Sequence, residues 1–158
     1  MKEKLRRRNL DLPVHFLVTA IACLLIYLKT AKPAYIFIFV LGAIFIDLDH
    51  FIDYFLYFGT KFRMKDFMGS TYLDSGKVYL FFHSWELVLT AFILSVIFKS
   101  TGLFIFFLGV LSHLVIDNVQ RKNPLIYFII YRIMMSFDRK ILLPDMGRPF
   151  RKKSQLSR

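Results

Sequence analysis

Cysteine is almost missing from this chain. Cys23 stands alone, so no intramolecular disulfide forms, and a thiolate-rich metal site is excluded. Internal repeats and low-complexity linkers are also missing, and 158 residues suffice for one domain. Acidic side chains are half as numerous as basic ones, 11 against 22, giving a formal charge of +11. That excess alone would suggest nucleic acid. The basic residues, however, lie between and beyond apolar runs, and the tail with Arg148, Arg151, Lys152 and Lys153 has no interleaved aromatics. An anionic membrane surface and phosphate-bearing ligands suit the pattern better, and no nucleic-acid partner is expected.

What the chain has in plenty is apolar surface. Hydrophobic residues make up 56%, Phe alone contributes 19, and mean hydropathy is +0.51. A soluble core in so short a chain cannot hide that much, so the surplus is expected to face lipid. Four apolar segments stand out, near 13–28, 33–58, 77–98 and 102–119. Each is close to the ~20 residues that a bilayer-spanning helix needs. Pro13 and Pro33 sit where helices favour proline, and short connections at 29–32 and 99–101 imply antiparallel neighbours. A further apolar stretch, 124–135, is too short to span and carries Arg132, which suits an interfacial helix. The predicted fold is all-α: an antiparallel bundle of four transmembrane helices (13–120), preceded by a basic arm (1–12) and followed by an interfacial helix and basic tail (121–158).

Orientation follows from Lys and Arg. Nineteen lie in the N-terminal arm, the 59–77 loop and the region after the fourth segment; only Lys29, Lys32 and Lys99 lie in the other connections. The positive-inside rule then places both termini in the cytoplasm of an inner-membrane protein. The first segment lacks a small-x-small cleavage site and is read as a retained helix rather than a signal peptide.

Against this apolar background the stretch GAIFIDLDHFIDYF (42–55) places Asp47, Asp49, His50 and Asp53. The chain has four histidines, one per predicted span: His15, His50, His83 and His113. In an up-down-up-down bundle, the starts of odd helices and the ends of even ones share a membrane face, so all four are expected to converge. Acids accompany them. His83 and Glu86 are three apart and His113 and Asp117 four apart, so each pair shares a helix face. Asp47 and Asp49 point about 160° apart on a helical wheel, so the three carboxylates of 47–53 are not all expected to meet one ion.

Each uncompensated acid at membrane depth costs roughly 2.5–3.5 kcal/mol. A divalent cation offsets that cost, because carboxylates and neutral imidazoles are its ligands. The candidate metal ligands are His15, Asp49, His50, His83, His113 and Asp117. Without thiolates, such donors suit Zn²⁺ first and Mn²⁺ or Fe²⁺ next.

At these residues the chain resembles the membrane-bound metal-dependent hydrolase family, which includes the YdjM-like inner-membrane proteins. The resemblance rests on His15, a G-x-x-x-x-D-x-D-H run (Gly42, Asp47, Asp49, His50), an HS pair (His83, Ser84) and G-x-x-x-H-x-x-x-D (Gly109, His113, Asp117), and covers about residues 13–120. Such proteins look distantly like zinc-dependent phospholipase C and P1-type nucleases. Two departures stand out. Ile46 occupies a position where the family often has Pro, and Val78–Phe82 replaces a run richer in His and Arg. The resemblance implies metal-dependent hydrolysis.

The reading that follows is hydrolysis of a phosphoester in a lipid or lipid-linked substrate at the cytoplasmic face. Asp47 or Glu86 is the candidate base that orients water. Arg63, Arg121, Lys122 and Arg132 are candidates for holding an anionic head group. Three other classes stay open: a carrier for divalent cations or protons, a di-iron-type redox bundle, and a structural membrane protein whose metal only holds the bundle together. A carrier needs polar groups at several depths, yet the outer halves of the spans offer little beyond Tyr27, Thr90 and Ser95. Di-iron bundles use Glu-x-x-His pairs on two helices, whereas this chain has one His-x-x-Glu and mostly Asp. Oligomeric state is not legible.

Overall fold

The computed structural model describes residues 2–121 and 123–144, with side chains described from residue 13 onward and not at Gln120. Lys122 and the basic tail at 148–153 lie outside the described residues. Among the described residues eight α-helices run in the order α1 (Lys2–Thr30), α2 (Pro33–Phe45), α3 (Leu48–Phe58), α4 (Met64–Met68), α5 (Trp85–Ile97), α6 (Thr101–Gln120), α7 (Ile129–Met134) and α8 (Arg139–Leu142). Short 3₁₀ turns occupy Thr71–Ser75 and Pro124–Tyr127. Among the described residues there is no β-strand, only an isolated bridge between Lys77 and Asp138. The protein is all-helical.

Among the described residues three stretches are long and apolar enough to cross a membrane: Pro13–Thr30, Pro33–Phe58 and Thr101–Val119. Their outward side chains are apolar, with Leu28 72% and Phe37 70% exposed. Such surface is stable against lipid and costly against water. The third apolar segment, 77–98, is shorter than its sequence suggests. Helix α5 begins only at Trp85, and its 13 residues rise about 20 Å, against about 30 Å of hydrocarbon. Four spans are therefore not what the helix lengths give.

Two further boundaries differ from the sequence reading. The backbone is already helical from Lys2, so Pro13 lies inside α1 rather than at its start. The second segment is interrupted by a turn at Ile46 and Asp47, which separates α2 from α3.

The chain divides into two compact units, Met1–Ile46 with Trp85–Arg121 and Asp47–Ser84 with Lys122–Arg158. The first contains α1, α2, α5 and α6. Within it α2 and α6 approach closely, and two glycines permit it. A Cβ on Gly42 would collide with the carbonyl oxygen of Phe106, and one on Gly109 with that of Phe39. Small residues let helix backbones approach where lipid supplies no hydrophobic drive. Val110 and Leu114 of α6 are both completely buried.

The second unit contains α3, α4, α7, α8 and the 3₁₀ turns. An aromatic core holds it: the Tyr54 ring packs 4.8 Å from Phe58, 5.3 Å from Phe62 and 5.8 Å from Phe67. Its Oη also accepts the N–H of Arg63 at 2.8 Å, which satisfies the hydroxyl of a fully buried ring. A buried ion pair joins Arg139 to Asp74 at 3.3 Å, and the same guanidinium donates to the Leu73 carbonyl.

Residues 77–84 were expected to open a helix but do not. Three charged side chains take the backbone groups that a helix would have paired. Asp53 accepts the Tyr79 N–H, and Asp49 accepts those of Phe82 and His83. Arg132 donates to the carbonyls of Tyr79, Leu80 and His83. Leu80 takes a positive φ of 45°, a conformation that no helix tolerates. Buried backbone groups must find partners, and here the partners are two carboxyl groups and a guanidinium.

Candidate metal centre

Two groups of three residues carry the geometry, one inside each unit. They use all four histidines, two apiece, each pair with one aspartate.

In the second unit the group is Asp47, His50 and His83. Asp47 lies in the turn before α3, and His50 lies in the first turn of that helix. His83 lies on the irregular 77–84 segment and is 1% exposed. The Nε2 atoms of His50 and His83 lie 3.6 and 3.7 Å from Asp47 Oδ1. The two rings are 4.9 Å apart at their centroids. Ligands on a tetrahedral ion at bond lengths of 2.0–2.1 Å are about 3.3 Å from each other. Both distances to Asp47 Oδ1 are within a few tenths of an ångström of that spacing, and all three donor atoms lie within 4.8 Å of one another.

What surrounds these atoms decides which nitrogen faces Asp47. His83 Nδ1 lies 2.9 Å from both oxygens of Asp49, a carboxylate with no solvent exposure. Ring N–H to carboxylate is the contact that orients metal-binding imidazoles and raises their basicity. His50 Nδ1 lies 3.1 Å from Tyr72 Oη. When that nitrogen carries the proton and donates to the phenol, Nε2 keeps its lone pair toward Asp47. Burial pushes the Tyr72 hydroxyl well above its ordinary range, and the nearby carboxylates add to the shift, so the phenol stays neutral. The group is closed on the His83 side and open on the other, where the Asp47 side chain is 47% exposed and that of His50 31%.

In the first unit the group is His15, His113 and Asp117. His15 comes from α1 and the other two from α6, one helical turn apart. His15 Nε2 lies 3.1 Å from Asp117 Oδ1, and His113 Nε2 lies 3.7 Å from Asp117 Oδ2. The imidazole centroids are 4.4 Å apart. Gly109 is one turn before His113 and sets how closely α6 approaches α2. Both groups therefore offer two imidazoles and a carboxylate, a donor set that suits Zn²⁺, Mn²⁺ or Fe²⁺.

The remaining sequence candidates have other surroundings. Asp49 meets His83 at Nδ1 and Asp47 lies near its Nε2, so Asp49 holds His83 instead of joining the donor group. Glu86 belongs to neither group. Arg63 and Arg121 are exposed. Arg132 is completely enclosed, and its guanidinium faces main-chain carbonyls, so it meets no head group in this conformation. Tyr72 was not singled out from sequence. It lies in a polar loop with no periodicity, where nothing signals a contact 22 residues back along the chain.

Comparison with protein families, with curated proteins and with solved structures finds no match to this chain.

Proposed function

We propose that this protein is a membrane-embedded, metal-dependent hydrolase acting on a phosphoester of a lipid or lipid-linked substrate. The observation that carries the proposal is the Asp49–His83 contact, which leaves His83 Nε2 facing Asp47 and His50. A purely structural metal site closes on all sides, whereas catalytic sites keep a position open for water and substrate. The exposed side of Asp47 and His50 supports the second kind.

A divalent ion held by Asp47, His50 and His83 would supply Lewis acidity, polarising a phosphoryl oxygen and lowering the pKa of a water. The protein's own part is to hold the donors. Asp49 fixes the His83 ring, Arg132 and Asp53 fix the backbone that carries it, and Tyr72 orients His50. His15, His113 and Asp117 would hold a second ion in their own unit. Exposed basic side chains such as Arg63 suit a phosphate-bearing substrate.

The test is metal analysis of the detergent-purified protein, together with release of phosphate or head group from a panel of phospholipids and polyprenyl phosphates. Turnover that disappears in Asp47→Ala, together with loss of part of the bound metal, supports the reading. Wild-type protein without metal after loading with Zn²⁺ or Mn²⁺ removes it.

A further inference from the structure

One face of the second unit takes no part in either donor group. On α3, Leu48, Phe51 and Phe55 recur at the spacing of a single helical stripe and are 44%, 38% and 42% exposed. Phe62 extends the stripe past the end of the helix. Its ring is stacked 6.1 Å from Phe51 and lies 6.3 Å from Phe55, and it is 43% exposed itself. Met64 and Met68, more exposed still, continue the apolar surface along α4. Phe67 stacks on Phe51 at 4.4 Å and ties α4 to α3 from the inner side. Lys61, Arg63 and Lys65 alternate with these residues and are all exposed. Asp66 is the single acid in 60–68.

We propose that this face is a membrane foot that seats on an anionic bilayer surface. Phe62, Met64 and Met68 enter the boundary between head groups and acyl chains, and Lys61, Arg63 and Lys65 meet lipid phosphates. Both halves of the pattern point to lipid. A contiguous apolar patch is unstable in water, and the basic residues woven through it match anionic head groups in charge. An acidic protein surface would satisfy the charges and leave the apolar row unmatched. The apolar helices of the same chain already favour a bilayer, so the foot has to orient the unit rather than recruit it. The inference rests on those helices and not on the proposed hydrolysis, so it survives or fails on its own.

The experiment uses the full-length protein in nanodiscs of phosphatidylcholine, alone or mixed with phosphatidylglycerol. With Cys23→Ser as background, Met64→Cys carries a bimane label. Quenching by lipids spin-labelled near the head group, with shielding from aqueous iodide, is the expected result. A label open to iodide and indifferent to the lipid quencher overturns the proposal, and includes the case of a soluble acidic partner. Energy transfer to fluorescent phosphatidylglycerol measures lipid preference around the protein. The Lys61→Gln/Arg63→Gln/Lys65→Gln variant is expected to lower that preference about tenfold. Unchanged preference in the triple variant also overturns the proposal. All three positions are exposed, so folding is expected to survive, and the Met64 label reads the unaltered charge pattern.

Discussion

The carboxylate of Asp49 grips His83 twice, at ring Nδ1 and at the main-chain N–H, and so fixes both the side chain and the backbone of one residue. Asp49→Asn keeps the shape but removes the charge that favours the Nδ1–H tautomer. Zn²⁺ affinity is expected to fall 10–100-fold, as for other carboxylates behind a metal-binding histidine. Competition with a chromophoric chelator reads this directly. Equal affinity in the variant would show that Asp49 does not tune the site.

Arg132→Met removes the donors to two buried carbonyls and one part-buried carbonyl, and replaces a charge with a side chain of similar length. Each abandoned acceptor costs about 1–3 kcal/mol, so the loss should exceed about 3 kcal/mol. Thermal unfolding of the detergent-solubilised protein measures it. Arg132→Lys is expected to recover little, since an ammonium does not offer the planar fork that reaches separate oxygens.

Metal stoichiometry separates the two donor groups. His113→Ala/Asp117→Ala and Asp47→Ala/His83→Ala should each lose part of the bound metal and retain the rest, and the four-site combination should lose all of it. Elemental analysis after dialysis decides. Complete loss in either pair alone would mean that the groups do not bind independently.

Gly42→Leu and Gly109→Val place side-chain atoms where a neighbouring carbonyl oxygen lies. Both are expected to lower the unfolding temperature sharply, because backbone cannot yield as a flexible side chain can. Gly102→Ala is the internal comparison. Its added methyl meets only ordinary contacts, 3.7 Å from Ile38 Cδ1. Replacing a helical glycine by alanine there should be neutral or slightly stabilising.

How much of this was legible follows from the kind of interaction involved. Helix α6 and the His113–Asp117 pair could be read from spacing alone, because both residues share one helix face. The different roles of Asp47 and Asp49 could be read only in part, because the wheel assumed a helix that the turn at Ile46 interrupts. The pairing of four histidines into two groups could not. It depends on where 77–84 runs, and apolar content made Val78–Phe82 look helical. The partners that prevent a helix there, Asp49, Asp53 and Arg132, are 26 to 53 residues away along the chain. Charged residues in apolar surroundings signal that some compensating partner exists, without saying whether it is an ion or a stretch of main chain.

The way 77–84 is held has a consequence for its motion. A segment outside regular secondary structure ordinarily opens in small local fluctuations, one peptide at a time. Here the amides of Tyr79, Phe82 and His83 are anchored to carboxylates of α3, and the carbonyls to a guanidinium of α7. Releasing one amide to solvent requires uncovering a buried charge. These three hydrogens should therefore exchange with deuterium as slowly as those in the middle of a long helix, and should do so together.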